Sequence, residues 1–267
     1  MSWIEALILG LVQGLTEFLP VSSSGHLIIG KDLLGIRVNP DAQTTFEVLV
    51  HFATVLSTIV VFRDEIWKLF QGLFKFRMNE ETQYIAKICI SMIPVLVVGL
   101  FFKEQVDAVF GKGVVPVGFM LLVTAILLTL THFVGFKQRE EISYLHAFII
   151  GVSQAIAVLP GLSRSGATIS TGLLLGNKKE DIARFSFLMV LVPILGESFL
   201  CIVGGDFSPK VSGIPMPAMI AGFLAAFFSG LFACKVMIAI VKRSKLFYFA
   251  LYCAIVGATI LLWKLFI

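Results

Sequence analysis

Six stretches of this chain, 46–62, 84–102, 114–136, 182–204, 214–241 and 246–267, are nearly unbroken apolar runs. Each is long enough to cross a bilayer, the first being near the lower limit of about 17 residues. Hydrocarbon offers no partner to a free N–H or C=O, so such runs must be helices that satisfy their own backbones. The chain is 58% hydrophobic and 14% charged, whereas a soluble domain carries about 25% charged residues. Its 267 residues leave no stretch polar enough for a separate soluble domain. The expectation is an all-α polytopic membrane protein, with residues 1–267 as one integral membrane domain. A net charge of +4 gives no sign of a nucleic-acid partner.

The opening "MSWIEALILGLVQG" has no positive n-region, carries Glu5 and is interrupted at Gln13, so it reads as part of the working protein rather than a cleaved signal peptide. Cys89, Cys201, Cys234 and Cys253 lie singly in apolar segments with no ligand spacing. They read as buried small hydrophobes.

Two further segments, 4–29 and 144–176, are apolar enough to enter a membrane, yet each is broken near its middle by proline, serine and glycine. "GLVQGLTEFLPVSSSGH" (10–26) and "GVSQAIAVLPGLSRSGA" (151–167) share an order of features. Gly10 and Gly151, Gln13 and Gln154, and Ser24-Gly25 and Ser165-Gly166 all stand 141 apart, while Leu-Pro slips by one residue. The pattern predicts an internal repeat, with halves 1–136 and 144–267, each a broken hairpin followed by three spans. Three is odd, so the halves face opposite sides of the membrane. An inverted-topology repeat with two re-entrant helix-break-helix hairpins follows.

Orientation comes from lysine and arginine. With 63–83, 137–143, 177–184 and 242–245 inside, and Lys87 at the adjoining helix end, that side holds 13 positive residues. The other side holds six: Lys31, Arg37, Lys103, Lys112, Lys210 and Lys264. The positive-inside rule then puts both termini and the first hairpin on the external side.

Gln13 and Glu17, four apart, share a helix face. Pro20 ends that helix, and the serines after it are natural N-caps for a second one running through His26. A helix start at mid-membrane offers free N–H groups to an anion. "PGLSRSGAT" (160–168) repeats the break and adds Ser163, Arg164, Ser165 and Thr168. A guanidinium in a membrane needs a partner, and phosphate is its best bidentate match. Together these residues describe a phosphate site. Plainer roles exist for each: Gly10 and Gly14 have close-packing spacing, Glu17 and Arg164 could form a structural ion pair, and His26 could be a core histidine. Glu47 and His51, at i and i+4, are weaker candidates for the same cavity. Glu197 and Lys235 read as neutralising each other.

"QGLTEFLPVSSSGH" and "PGLSRSGAT" resemble the two signatures of the bacterial undecaprenyl-diphosphate phosphatases, the bacitracin-resistance proteins. The family's first pattern has Glu or Gln, then Glu four later; here these are Gln13 and Glu17. The resemblance implies hydrolysis of undecaprenyl diphosphate to undecaprenyl phosphate and inorganic phosphate in the bacterial inner membrane. That activity recycles the lipid carrier for wall synthesis and confers bacitracin resistance. The resemblance also implies a divalent cation, Mg²⁺ or Ca²⁺, with Glu17 and Gln13 as candidate oxygen ligands. On this reading Ser23 attacks phosphorus, Glu17 or His26 takes its proton, and Arg164 stabilises the transferred group. Gln13, Ser22, Ser24, Ser163, Ser165 and Thr168 would hold the phosphates. A phosphohistidine at His26 is the mechanistic rival. A lipid-phosphate flippase on the same inverted repeat is the functional one.

Overall fold

The computed structural model describes residues 1–36, 40–110, 113–133, 141–242 and 246–266, and every regular element among them is helical. In chain order these are α1 (Trp3–Phe18), α2 (Ser23–Leu34), α3 (Pro40–Val61), α4 (Arg63–Leu73), α5 (Glu80–Phe101), α6 (Lys103–Phe110) and α7 (Val114–Phe133). Then come α8 (Tyr144–Ile156), α9 (Arg164–Leu174), α10 (Lys179–Met189), α11 (Leu191–Gly204), α12 (Pro209–Ser212), α13 (Met216–Lys242) and α14 (Phe247–Phe266). Six elements are long and apolar enough to cross a membrane, matching the six runs in the sequence. One of them, Lys179–Gly204, joins α10 and α11 across Val190. Pro193 cannot donate to the carbonyl of Met189, which accounts for the interruption just before it.

The interrupted segments are two short helix pairs. At about 1.5 Å per residue, the 16 residues of α1 and 13 of α8 reach about 24 and 20 Å, less than a hydrocarbon core of about 30 Å. A capping box between Ser2 and Glu5 starts α1. Leu19, ahead of Pro20, is extended and ends it. The chain then reverses, and α2 lies back along α1: a Cβ on Gly30 would sit 3.2 Å from Leu9 Cδ2. The same course recurs in α8 and α9, which also pack on each other.

Small residues set the closest helix contacts. On α1, a Cβ at Gly10 would strike the Gly222 carbonyl and one at Gly14 would strike Ser229 Oγ, so α1 and α13 meet almost backbone to backbone. This is the close packing that the Gly10/Gly14 spacing suggested. At Gly151 on α8 the obstacle is Ser91 of α5. On α7 and α14, Gly118 and Gly257 face each other, a Cβ on Gly257 falling 2.8 Å from the Gly118 carbonyl.

Several expectations need correction. The stretch 63–83, assigned above only to the inner side, contains α4, whose Trp67 and Phe70 are exposed while Ile66 and Leu69 turn toward the main apolar core. It was missed because its polar half hides it from a search for apolar runs. Helices α6 and α12 lie in two further connections between the apolar runs. Of the cysteines, Cys234 and Cys253 are buried, but Cys201 is partly exposed and Cys89 is exposed, so apolar surroundings in sequence did not mean burial in protein. Glu197 on α11 and Lys235 on α13 are both exposed and form no ion pair. Both of their helices pack on α3 more than on each other. Arg37, Lys112, Lys137, Arg139, Arg243 and Lys245 lie outside the described residues.

Candidate active site

The two breaks meet each other. Gly161 N–H donates to Ser22 Oγ (3.1 Å), Ser165 Oγ donates to the Leu19 carbonyl (3.2 Å), and a Cβ on Gly25 would lie 3.1 Å from Gly161 Cα. Gly161 is at φ +93, and a Cβ there would come within 2.6 Å of the Val117 carbonyl, so the position demands glycine twice over. Thr124 of α7 braces the second break, accepting the Ser163 N–H at 3.0 Å and lying 3.2 Å from the Gly161 carbonyl.

Both helix starts are capped alike. Ser22 Oγ accepts Gly25 N–H (3.3 Å) and Ser163 Oγ accepts Gly166 N–H (3.0 Å). Ser24 Oγ lies 3.4 Å from Ser22 Oγ, and Ser165 Oγ 3.3 Å from Ser163 Oγ. The caps therefore recur at the 141-residue offset seen in the sequence. In each first turn the N–H groups of the first two residues, Ser23 and Ser24 in α2 and Arg164 and Ser165 in α9, have no intrahelical acceptor. Two sets of free N–H groups and two positive dipole ends thus converge on one spot.

Glu17 is the hub of that spot. Its side chain is 5% exposed; Oε1 is ion-paired with Arg164 Nη2. Oε2 accepts Ser23 Oγ–H at 2.6 Å and Gln13 Nε2 at 2.8 Å, and His51 Nε2 stands 3.5 Å away. The ion pair foreseen as the plain reading of Glu17 and Arg164 is present, but the carboxylate also holds a serine hydroxyl. Ser23, Ser24, His26 and Arg164 are half-buried, whereas Gln13, Ser22, Ser163, Ser165 and Thr168 are buried. A narrow cleft touching Glu17, Arg164 and Ser165 is also lined by Thr54, Thr58 and Ser186.

The structure brings together most of the residues the sequence singled out, with some roles changed. Ser22 and Ser163 are spent as caps, and Thr168 Oγ1 donates to the Arg164 carbonyl (2.8 Å) while meeting Ser186 Oγ at 2.7 Å. These hydroxyls hold the breaks in shape. His26 does not pair with Ser23: its Nδ1 lies 2.8 Å from the Ser22 carbonyl and its Nε2 2.8 Å from Tyr252 Oη. Of the weaker candidates, His51 reaches Glu17, while Glu47 is ion-paired with Lys31 at 2.5 Å. Thr124, Ser186 and Tyr252 were missed; each lies on a different helix from the residue it touches, and nothing local in the sequence ties the two together.

Oxygen ligands for a hard cation are sparse but present. Gln13 Oε1 is buried without a hydrogen-bond partner, because Nε2 is the end turned to Glu17. Among the described residues no group of three His, Cys, Asp or Glu could cage a metal. A Mg²⁺-type site, completed by substrate phosphate oxygens, fits this donor set; an all-protein cage does not.

These features define a multi-pass membrane protein with a carboxylate-bound serine and an arginine gathered at two broken helices. The chain belongs to the bacitracin resistance protein BacA family, whose model matches residues 6–259. It is 56% identical over 266 residues to an undecaprenyl-diphosphatase of Bacteroides thetaiotaomicron, covering 99% of this chain and 100% of that one. It is 57% identical over 258 residues to one of Bacteroides fragilis, covering 96% of each chain. An undecaprenyl-diphosphatase of Oceanobacillus iheyensis is 36% identical over 268 residues, covering 97% of this chain and 96% of its own.

Proposed function

We propose that this chain hydrolyses undecaprenyl diphosphate to undecaprenyl phosphate and inorganic phosphate. It thereby recycles the wall-synthesis lipid carrier and confers bacitracin resistance. The observation that carries the reading is the Ser23 hydroxyl donated to Glu17, beside Arg164 and two capped helix starts.

Ser23 Oγ attacks the terminal phosphorus as its proton passes to Glu17 Oε2. The bond from phosphorus to the bridging oxygen breaks, undecaprenyl phosphate leaves, and Ser23 carries the phosphoryl group. Glu17 passes that proton to the departing lipid phosphate and, ionised again, deprotonates the attacking water. The bond between phosphorus and Ser23 Oγ then breaks, and Glu17 returns the proton to Ser23 Oγ as inorganic phosphate leaves. Arg164 turns from Glu17 Oε1 toward the equatorial oxygens, and the free N–H groups of Ser23, Ser24, Arg164 and Ser165 stabilise their charge. Ser22, Ser163 and Thr168 keep those N–H groups aimed. Gln13 Oε1 and Glu17 would hold Mg²⁺ or Ca²⁺, which when bound neutralises diphosphate charge.

We infer the membrane arrangement on the same footing. The broken helices are re-entrant hairpins, and the halves 1–136 and 144–267 form an inverted repeat with both termini outside. Matched caps, the Gly118–Gly257 contact, and the packing of α1 on α13 and α8 on α5 support it. Undecaprenyl diphosphate added to purified protein should release phosphate, and Ser23→Ala should not. Wild-type protein that moves the lipid across vesicles without releasing phosphate would instead be a flippase.

A further inference from the structure

His26 is fixed by two partners of different character. The Ser22 carbonyl at Nδ1 can only accept, so Nδ1 carries a hydrogen. In the neutral ring Nε2 is then a bare acceptor, and Tyr252 Oη–H, 2.8 Å away, donates to it. The two rings lie nearly parallel, 15° apart, with centroids at 5.6 Å. Tyr252 comes from α14, 226 residues away in sequence. It is 43% exposed, on a face with Tyr248, Leu251 and Ile255, all more exposed than itself. Since α14 is of membrane-crossing length and apolar, that face meets lipid. The phenol therefore stands between the bilayer and the first turn of α2, which bears Ser23, Ser24 and His26.

On the reading of the site given above, we propose that Tyr252 is a positioning residue for the phosphatase reaction, acting through His26. By donating to Nε2 it fixes the tautomer and orientation of the imidazole. It also stops the ring from swinging to Ser23, whose hydroxyl stays committed to Glu17. The hydroxyl, not the ring, does this, because Phe would preserve the parallel packing. A lipid diphosphate approaching from the membrane then meets an imidazole already locked one turn from the nucleophile. Loss of a single hydrogen bond of this kind corresponds to about a tenfold effect.

The test is Tyr252→Phe in the full chain in detergent, read in two ways. With histidine labelled by ¹⁵N, and His26 identified from the resonance lost in His26→Gln, the Nε2 signal should move when the hydroxyl is removed. Turnover of undecaprenyl diphosphate should fall about tenfold with KM within about twofold, and adding Tyr252→Phe to His26→Gln should cost nothing further. An unmoved Nε2 signal overturns the contact. A moved signal with unchanged kcat, a rise in KM alone, or additive losses in the double variant overturns the positioning role. Wild-type protein that releases no phosphate defeats the enzyme reading itself, and the role of Tyr252 with it, while the ¹⁵N signal still decides whether the contact exists.

Discussion

Glu17→Gln separates what the carboxylate does for chemistry from what it does to Arg164. The amide has the same shape, so Gln13 and Ser23 keep a neighbour, but the acceptor of the Ser23 proton and the counter-ion of Arg164 are lost. General-base assistance contributes roughly 10²–10⁴-fold, so kcat should fall by about three orders of magnitude. KM should fall as well. Glu17 Oε1 and the diphosphate compete for one guanidinium, and removing the carboxylate frees it, so KM should fall several-fold. Breaking a buried pair costs roughly 3–5 kcal/mol, but Arg164 is 26% exposed and partly solvated. A loss of about 1–2 kcal/mol, or several degrees in Tm, is expected after that discount. Phosphate release over a range of lipid concentrations, with a melting curve on the same preparation, measures all three. A kcat within tenfold of wild type refutes the base role. A raised KM refutes the competition, and if excess Mg²⁺ repairs it, the hold of Glu17 on the metal outweighs its hold on Arg164.

Arg164→Lys should lose at least about 10²-fold in kcat/KM, because an ammonium cannot make the bidentate contact; wild-type kinetics would remove the clamp. Gly161→Ala should unfold several degrees lower from backbone strain of about 1–3 kcal/mol, and an unchanged Tm would mean that the break is softer than its φ of +93 implies. In a background lacking native cysteines, Val211→Cys should react with an impermeant thiol reagent from outside, and Arg77→Cys only after the membrane is opened. Labelling of both from outside would sink the inverted repeat.

The breaks were legible because proline, serine and glycine interrupt otherwise apolar runs, and because the two interruptions share an offset. Gln13 and Glu17 were legible as neighbours since helix geometry alone brings i and i+4 together; they are hydrogen-bonded at 2.8 Å. Which of the two candidates, Glu17 or His26, holds the Ser23 hydroxyl was not. It depends on how sharply the chain turns between Phe18 and Ser23, with Ser22 at φ +70. His26 to Tyr252, His51 to Glu17 and Thr124 to Ser163 are contacts between distant elements, each made by one polar residue within an apolar helix. Nothing local marks such a residue as functional rather than as a satisfied part of the interior. Helix α4 escaped because its signal is amphipathic periodicity over 11 residues, not an apolar run.

The central claim is that the Ser23 hydroxyl, held by Glu17, is the nucleophile. The most direct measurement is rapid acid and alkaline quenching of the enzyme during turnover of undecaprenyl diphosphate labelled in its terminal phosphate, followed by mapping of the label. The account predicts an acid-stable phosphoryl group on the peptide that carries Ser23, absent in Ser23→Ala. An acid-labile label on His26, or phosphate release that survives Ser23→Ala, would contradict it.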